Sequence, residues 1–432
     1  MEKDQMTDGI AHSKRGKNEP VLLTKIDISE AGFRSKMLIG DLNGDGRMEM
    51  LMVQADGGID DRYVPHQVQC LTSFDLEGNL LWQTGVPDLD AGGPGSDYPA
   101  QIYDIDGDGK NEVLCVMDKK FTILDGAAGT VKKQYDLPDP EAHDCIIIAN
   151  LSRNPYPQDI ILKNRYNKLW AFDNDFNLLW THSGNVGHFP WVYDFDGDGY
   201  DEVMAGYDFL NHKGQKQWAC HNLEDHADCI WVADVYETPS ENKQLIIGGS
   251  VTVMYDHTGN EIWRYEGSIE SQHVCVGKFR KDIPGLQIAG LDRIIRGRGG
   301  NKNGKDGMFL LDAHGNEICK ENRQSEGWLT IIDTVTNWDD SDLDYILAYR
   351  RGDGVLPGLY DGYLQPVFTF PVDGYVVHGD LYGMGKEQII IYDDHHAFIF
   401  SHSQNTEKVS NRSLLQTKRL YSSTLYPGGE YN

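Results

Sequence analysis

At 432 residues the chain is longer than one simple hydrophobic core usually holds, so it should be several domains or an array of repeats. Its 67 Asp and Glu against 39 Lys and Arg give a formal net charge of -28, a field that repels polyanions and argues against nucleic acid or an anionic membrane as partner. The seven Cys are an odd number, several lie inside apolar runs, and the first twenty residues are polar without an apolar leader core, so neither a disulfide framework nor an export signal is implied. A soluble, cytoplasmic protein is expected from the chain as given, or a secreted one if a leader has been trimmed away.

In chain order, residues 1–20 read as a flexible tail and Val21–Ile28 as a strand. The first strong motif follows, Asp41-Leu-Asn43-Gly-Asp45-Gly-Arg-Met-Glu49. It returns as Asp104-Ile-Asp106-Gly-Asp108-Gly-Lys-Asn-Glu112 and as Asp194-Phe-Asp196-Gly-Asp198-Gly-Tyr-Asp-Glu202. Oxygen ligands at loop positions 1, 3, 5 and 9, with glycines at 4 and 6 for the sharp turn, suit a calcium ion. Each loop stands between two apolar runs, which predicts strand, metal loop, strand.

Taking the polar residue that ends each first strand as a marker gives Asp41, Asp104, Asn150, Asp194, Asp234, Lys278, Asp333 and Asp380, spaced by 63, 46, 44, 40, 44, 55 and 47 residues. A period near 45 predicts an all-β chain folded as a β-propeller of four-stranded blades, with eight blades expected and seven possible. Third strands end in Asp-x-x-Gly turns followed by Trp82 or Trp263, with looser copies at Asp173 before Trp180 and Gly214 before Trp218, and these Trp residues are expected to pack between blades. The eighth unit lacks a clear fourth strand, and Val21–Ile28 is expected to supply it. The propeller then spans 21–404, and 405–432 reads as a strap over the last blade.

In a four-stranded meander the first-to-second and third-to-fourth turns share one face, which here carries the metal loops. The second-to-third turns and the blade connections share the other. That second face gathers His143, His188, His226 and His273 at strand starts, with Tyr98, Arg165, Tyr166 and Tyr207, the basic loop holding Arg293, Arg296 and Arg298, and Arg350. No G-x-S-x-G elbow or phosphate loop occurs. His143-x-Cys145 and His273-x-Cys275 invite a zinc reading, but the Cys recurs as a packing position and no C-x-x-C is present.

His, Tyr and Arg on one face suit proton transfer beside a carboxylate. In β-elimination a cation neutralises a uronate, a base removes the proton beside it, and an acid protonates the leaving oxygen. The expected assignment makes His188 the base, with His143, His226 and His273 as competitors. Arg165 holds the carboxylate and Tyr166 or Tyr207 returns the proton, while Arg293, Arg296, Arg298, Arg350 and Tyr98 bind the glycan.

The D-x-[DN]-G-D-G-x-x-E loops, with turns such as Asp173-Asn-Asp-Phe-Asn-Leu-Leu-Trp180, resemble the propeller-type polysaccharide lyases over roughly Ser35 to Ser401. The rhamnogalacturonan lyase group is the nearest in architecture, with ulvan and rhamnose-glucuronate lyases related. The resemblance implies a calcium-bearing propeller that cleaves an acidic, rhamnose-containing polysaccharide by β-elimination. A monomer is expected. The alternative is a non-catalytic calcium propeller that recognises carbohydrate or protein.

Overall fold

Short runs of aliphatic and β-branched residues, punctuated by Gly and Asp, favour strands over helices. In the computed structural model, which describes residues 20–56, 66–89, 97–238, 240, 242–271, 273–295, 305–322, 331–349, 355–403 and 428–431, regular structure is strand throughout except for one 3-10 turn at Ser29–Ala31. No helix among these residues is long and apolar enough to cross a membrane.

The strands form consecutive antiparallel meanders of four, paired in the order first, second, third, fourth. Eight first strands are seen among the described residues: Lys36–Gly40, Ala100–Tyr103, Cys145–Ala149, Trp191–Tyr193, Cys229–Ala233, His273–Gly277, Ile331–Val335 and Tyr375–Gly379. The first two meanders are joined into one sheet by a parallel pairing of Val68 with Met117. In the eighth, Pro20–Asp27 pairs antiparallel with His396–His402, so the beginning of the described chain completes its end. First strands lie against one another in chain order from Lys36–Gly40 to Ile331–Val335, and Tyr375–Gly379 lies against Lys36–Gly40.

Burial falls from first strand to fourth. Strands such as Cys145–Ala149 (CIIIA) and Glu112–Met117 (EVLCVM) are buried at every position, whereas Val131–Asp136 (VKKQYD) is mostly exposed. Continuous apolar runs are what a strand covered on both faces requires, and alternation returns at the rim. The cysteines follow the gradient: all seven are free thiols, and Cys70, Cys115, Cys145, Cys229 and Cys275 are buried.

Neighbouring meanders are keyed by tryptophan. The indole N–H of Trp82 donates to Gly126 O at 2.8 Å, Trp180 to His212 O at 2.9 Å, Trp218 to His257 O at 2.9 Å and Trp263 to Ala313 O at 3.2 Å. Each acceptor belongs to the third-to-fourth turn of the next meander. The ring rests on that turn's glycine, where a Cβ would come within 2.5 Å of Trp180 at Gly214 and 2.7 Å of Trp218 at Gly259. Both glycines also have positive φ, so the position excludes side chains twice over.

Two expectations need correction. Asp333 does not end its first strand but lies inside Ile331–Val335, so the seventh marker is displaced by three residues. The described part of the C-terminus, Gly429–Tyr431, is not laid over the last unit. It pairs parallel with Cys229–Ala233 of the fifth, Trp231 opposite Gly429 and Ala233 opposite Tyr431. The inner edge of a first strand is open to such pairing, and a parallel partner can arrive from any distance in sequence.

Candidate functional site

The Asp-rich loops are built locally. Asp41 accepts from the amides of Gly44 at 2.7 Å and Gly46 at 3.0 Å, Asp104 from Gly107 at 2.7 Å and Gly109 at 3.0 Å, and Asp194 from Gly199 at 3.0 Å. All six loop glycines have φ between 74° and 89°, which the turn demands. The ninth residue folds back onto the second: Glu49 accepts from the Leu42 amide, Glu112 from Ile105 and Glu202 from Phe195.

The carboxylates of these loops crowd together. Ligand oxygens of Asp104, Asp106 and Asp108 lie within 4.8 Å of one another, as do those of Asp194, Asp196 and Glu202. Burial, then the neighbouring Asp charges, push Glu49 and Glu202 up to about 7. Asp194 Oδ1 is buried without a hydrogen-bond partner among the described residues. The second loop differs, because Lys132 Nζ donates to Asp106 at 2.8 Å and to Glu112 at 2.6 Å. In the first, Asn43 bonds Glu49 at 2.9 Å, Asp45 accepts from the Arg47 amide, and Arg47 itself pairs with Glu77. The Asp198 carboxylate likewise accepts from the Tyr200 amide at 2.8 Å.

At the opposite ends of the strands a second cluster assembles from the second to fifth meanders. Asp97 precedes the strand Ala100–Tyr103, Asp144 directly precedes Cys145–Ala149, Lys163 ends Asp159–Lys163, and Arg165 and Tyr166 form the following turn. His188 precedes Trp191–Tyr193, and His226 and Asp228 precede Cys229–Ala233. Arg165 Nη1 donates to Asp97 Oδ2 at 2.6 Å and to Asp144 Oδ1 at 3.1 Å, and Lys163 pairs with the other Asp144 oxygen. His188 Nδ1 lies 3.3 Å from Asp97 Oδ2, and its Nε2 3.6 Å from Asp228 Oδ1. His226 Nε2 reaches the same Asp228 oxygen at 3.6 Å, with its Nδ1 2.6 Å from Asp225. Tyr166 stands over both imidazoles, its ring centroid 5.5 Å from His188 and 4.7 Å from His226, with the Arg165 guanidinium 4.8 Å from its face.

Burial decides the charges. It pushes His188 down to about 3 against the opposing pull of Asp97, so this imidazole is neutral at neutral pH. It lowers His226 as well and raises the Tyr166 phenol. Burial alone would raise the Asp97 carboxyl, but the His188 hydrogen bond and the Arg165 charge outweigh it and hold Asp97 well below the usual carboxylate range. Asp97 is therefore an acceptor, and His188 Nδ1 carries the proton between them. Exposure separates the rings: the His188 side chain is 6% exposed and that of His226 21%.

Of the site residues read from sequence, the structure brings Arg165, Tyr166, His188 and His226 together. Tyr207 lies at the next turn, its hydroxyl donating to Glu224 O at 3.3 Å. His143 is buried beside Asp144, with Nδ1 lacking a hydrogen-bond partner among the described residues. His273 is wholly buried and its Nδ1 accepts from the Ile332 amide at 2.9 Å, which makes it a tie between the sixth and seventh meanders. Tyr98, expected on the glycan, is instead 1% exposed, its hydroxyl donating to Arg34 O at 3.1 Å and its ring under Lys36. Arg296, Arg298 and Arg350 lie outside the described residues, and Arg293 is described by its backbone, in the strand Gln287–Ile295.

The residues missed are Asp97, Asp144, Lys163, Asp225 and Asp228. A signal was present, since Asp97, Asp144 and Asp228 each stand just ahead of a first strand where the histidines were noticed. A shallow cavity on the metal-loop side, lined by Phe195, Asp196, Glu202, Trp218, His257 and Thr258, is separate from this cluster.

No protein-family model matches the chain. Rhamnogalacturonan exolyase YesX of Bacillus subtilis (strain 168) is 20% identical over 437 residues, covering 82% of this chain and 68% of its own. The crystal structure of exotype rhamnogalacturonan lyase YesX superposes with a TM-score of 0.67 at 16% identity, over 94% of this chain and 78% of that one. Rhamnogalacturonan lyase YesW gives 0.65 at 17% identity, and the Bacillus licheniformis rhamnogalacturonan lyase PL11 gives 0.66 at 15%, each over 96% of this chain and 81% of the other. In sequence and in fold, the chain is similar to rhamnogalacturonan lyases.

Proposed function

We propose that this protein is a polysaccharide lyase that cleaves an acidic, uronic-acid- and rhamnose-containing polysaccharide of the rhamnogalacturonan type by β-elimination. The observation that carries the reading is the convergence of Tyr166, His188 and His226 from three meanders onto one spot. The similarity to rhamnogalacturonan lyases supports it and supplies the substrate class.

The scaffold of this reading is an eight-bladed propeller over residues 21–404, supported by the repeated four-strand order and the side-by-side first strands. Calcium belongs to its loops. Asp41, Asn43, Asp45 and Glu49, Asp104, Asp106, Asp108 and Glu112, and Asp194, Asp196, Asp198 and Glu202 would hold it, and the ion would supply the positive charge that lets these carboxylates crowd together. Those loops lie at the strand ends away from the ring cluster, so their role is structural.

In the elimination the C5–H bond of the uronate breaks, its electron pair becomes the C4–C5 double bond, and the glycosidic oxygen leaves from C4 and takes up a proton. Tyr166 and His226 are the ring side chains of the cluster that reach solvent, and one of them accepts the C5 proton, His226 as the neutral imidazole or Tyr166 as the phenolate formed once its proton has passed to solvent. Arg165 is buried, with Asp97 and Asp144 on its Nη1, and acts as a positioning residue that holds Asp97 ionised and Tyr166 in place. Incubation with rhamnogalacturonan, followed by the ultraviolet absorbance of the unsaturated uronate product, tests the assignment. A rise is expected; none with this or any other acidic glycan leaves a binding module.

A further inference from the structure

Two imidazoles in the ring cluster are oriented alike. His188 presents Nδ1 to Asp97, at 3.3 Å, and Nε2 to Asp228 Oδ1, at 3.6 Å. His226 presents Nδ1 to Asp225, at 2.6 Å, and Nε2 to the same Asp228 oxygen, at 3.6 Å. A carboxylate on Nδ1 keeps the proton there, which leaves the Nε2 lone pair as the ligating face of each ring. Two nitrogen lone pairs and a carboxylate oxygen thus converge, all three ligand atoms within 4.8 Å of one another.

We propose that His188, His226 and Asp228 bind a divalent transition metal of the zinc type, with Asp97 and Asp225 orienting the two imidazoles. Metal–ligand bonds of about 2.0–2.1 Å put the donor atoms of a tetrahedral zinc site roughly 3.3–3.5 Å apart, and both measured nitrogen–oxygen edges are close to this. Imidazole nitrogen selects zinc over calcium or magnesium, which take oxygen. A carboxylate on the far nitrogen of a ligating histidine is the usual support of such a site. Three protein ligands leave a fourth position open, as in catalytic rather than structural zinc, and the Tyr166 ring lies beside both imidazoles.

On the lyase reading, the metal's open position takes the uronate carboxylate and supplies the charge that Arg165, already engaged by two aspartates, does not. With both Nε2 atoms on the metal, the Tyr166 phenol releases its proton to solvent beside the added positive charge, the phenolate accepts the C5 proton, and the phenol so formed returns it to the leaving oxygen. The loops at the other strand ends remain the calcium sites, so the chain carries two metals of different hardness.

The test uses the full chain, stripped with chelator and dialysed against calcium with zinc, then against calcium alone. Elemental analysis should show one zinc retained per chain in addition to calcium. Cobalt in place of zinc should give the visible absorption of a four-coordinate site. His226→Gln and Asp228→Asn should each lose the zinc equivalent and the cobalt band while keeping calcium. Asp225→Asn alters a carboxylate whose side chain is 65% exposed, and should weaken zinc binding by about 10–100-fold. A wild-type chain that retains no zinc and gives no cobalt band overturns the proposal, as do variants that bind like wild type. None of these readouts involves substrate, so zinc bound without unsaturated product would remove the lyase reading and leave the metal site standing.

Discussion

The two ends of the strands are built on different scales of sequence. At one end Asp104 closes on Gly107 and Gly109, three and five residues away, and the whole loop is nine consecutive residues. At the other, Asp97 meets Arg165 and His188, which are 68 and 91 residues distant. The local end repeats, with exposed loop tips and with Glu49, Glu112 and Glu202 buried beneath them. The distant end occurs once, and its charged groups are buried. Repetition at one end and singularity at the other is how a symmetric scaffold carries an asymmetric site.

The largest effect is expected where the distant end is broken. Asp97→Ala leaves the buried Arg165 and His188 without their shared carboxylate and should cost about 3–5 kcal/mol in chemical denaturation; a loss below about 1 kcal/mol would mean that the cluster does not tie the meanders together. Next comes Tyr166→Phe, which removes one hydroxyl and should lower kcat on rhamnogalacturonan by about 10² or more with little change in Tm. Turnover close to wild type would take Tyr166 out of the proton path.

At the repetitive end, chelation should lower Tm, since calcium at about 100 times its Kd stabilises a single site by about 2.7 kcal/mol. The kcat of protein that is still folded should hold. Loss of turnover with no thermal shift would move calcium into the reaction. The calcium-free protein should also show a pH signature. Folded Glu49 and Glu202 hold their protons up to about 7 against an ordinary 4.5, so the folded state binds more protons than the unfolded one across that window. Stability should therefore fall as pH rises from about 4.5 through 7, and calcium should abolish the slope. A flat profile without calcium would show that the carboxylates do not crowd.

The smallest effect distinguishes one loop from another. Lys132 already neutralises Asp106 and Glu112, so calcium must displace it from the second loop, whereas among the described residues no lysine pairs with the carboxylates of the third. Lys132→Met should tighten calcium at the second loop by about tenfold, or ~1.4 kcal/mol, in a calorimetric titration. Unchanged affinity would make the lysine a bystander.

The loops were legible because every group that shapes them is within nine residues. A carboxylate at the first position needs amide donors from the fourth and sixth, and those amides need glycine. The tryptophan keys were legible for a related reason: the Asp-x-x-Gly turn leaves a hole, and the repeat places a ring to fill it. The cluster was legible in part. His188, His226, Arg165 and Tyr166 stood out by residue type and by their place at strand starts and turns. Tyr98 shared that place and turned into the core, a difference that the local pattern does not encode.

What the sequence determined by itself was the periodic framework: strands, turns, acidic loops and the face on which irregular residues gather. These follow from contacts that close within one repeat. The tertiary structure decided which of those residues meet. Asp97, Asp144 and Asp228 are unremarkable in sequence and become partners of Arg165, Lys163 and the two histidines once four meanders stand side by side. The C-terminal Gly429–Tyr431 finds the fifth meander rather than the eighth, for the same reason. Buried charges must be paired, and the partner is chosen by proximity in space, which a local pattern does not encode.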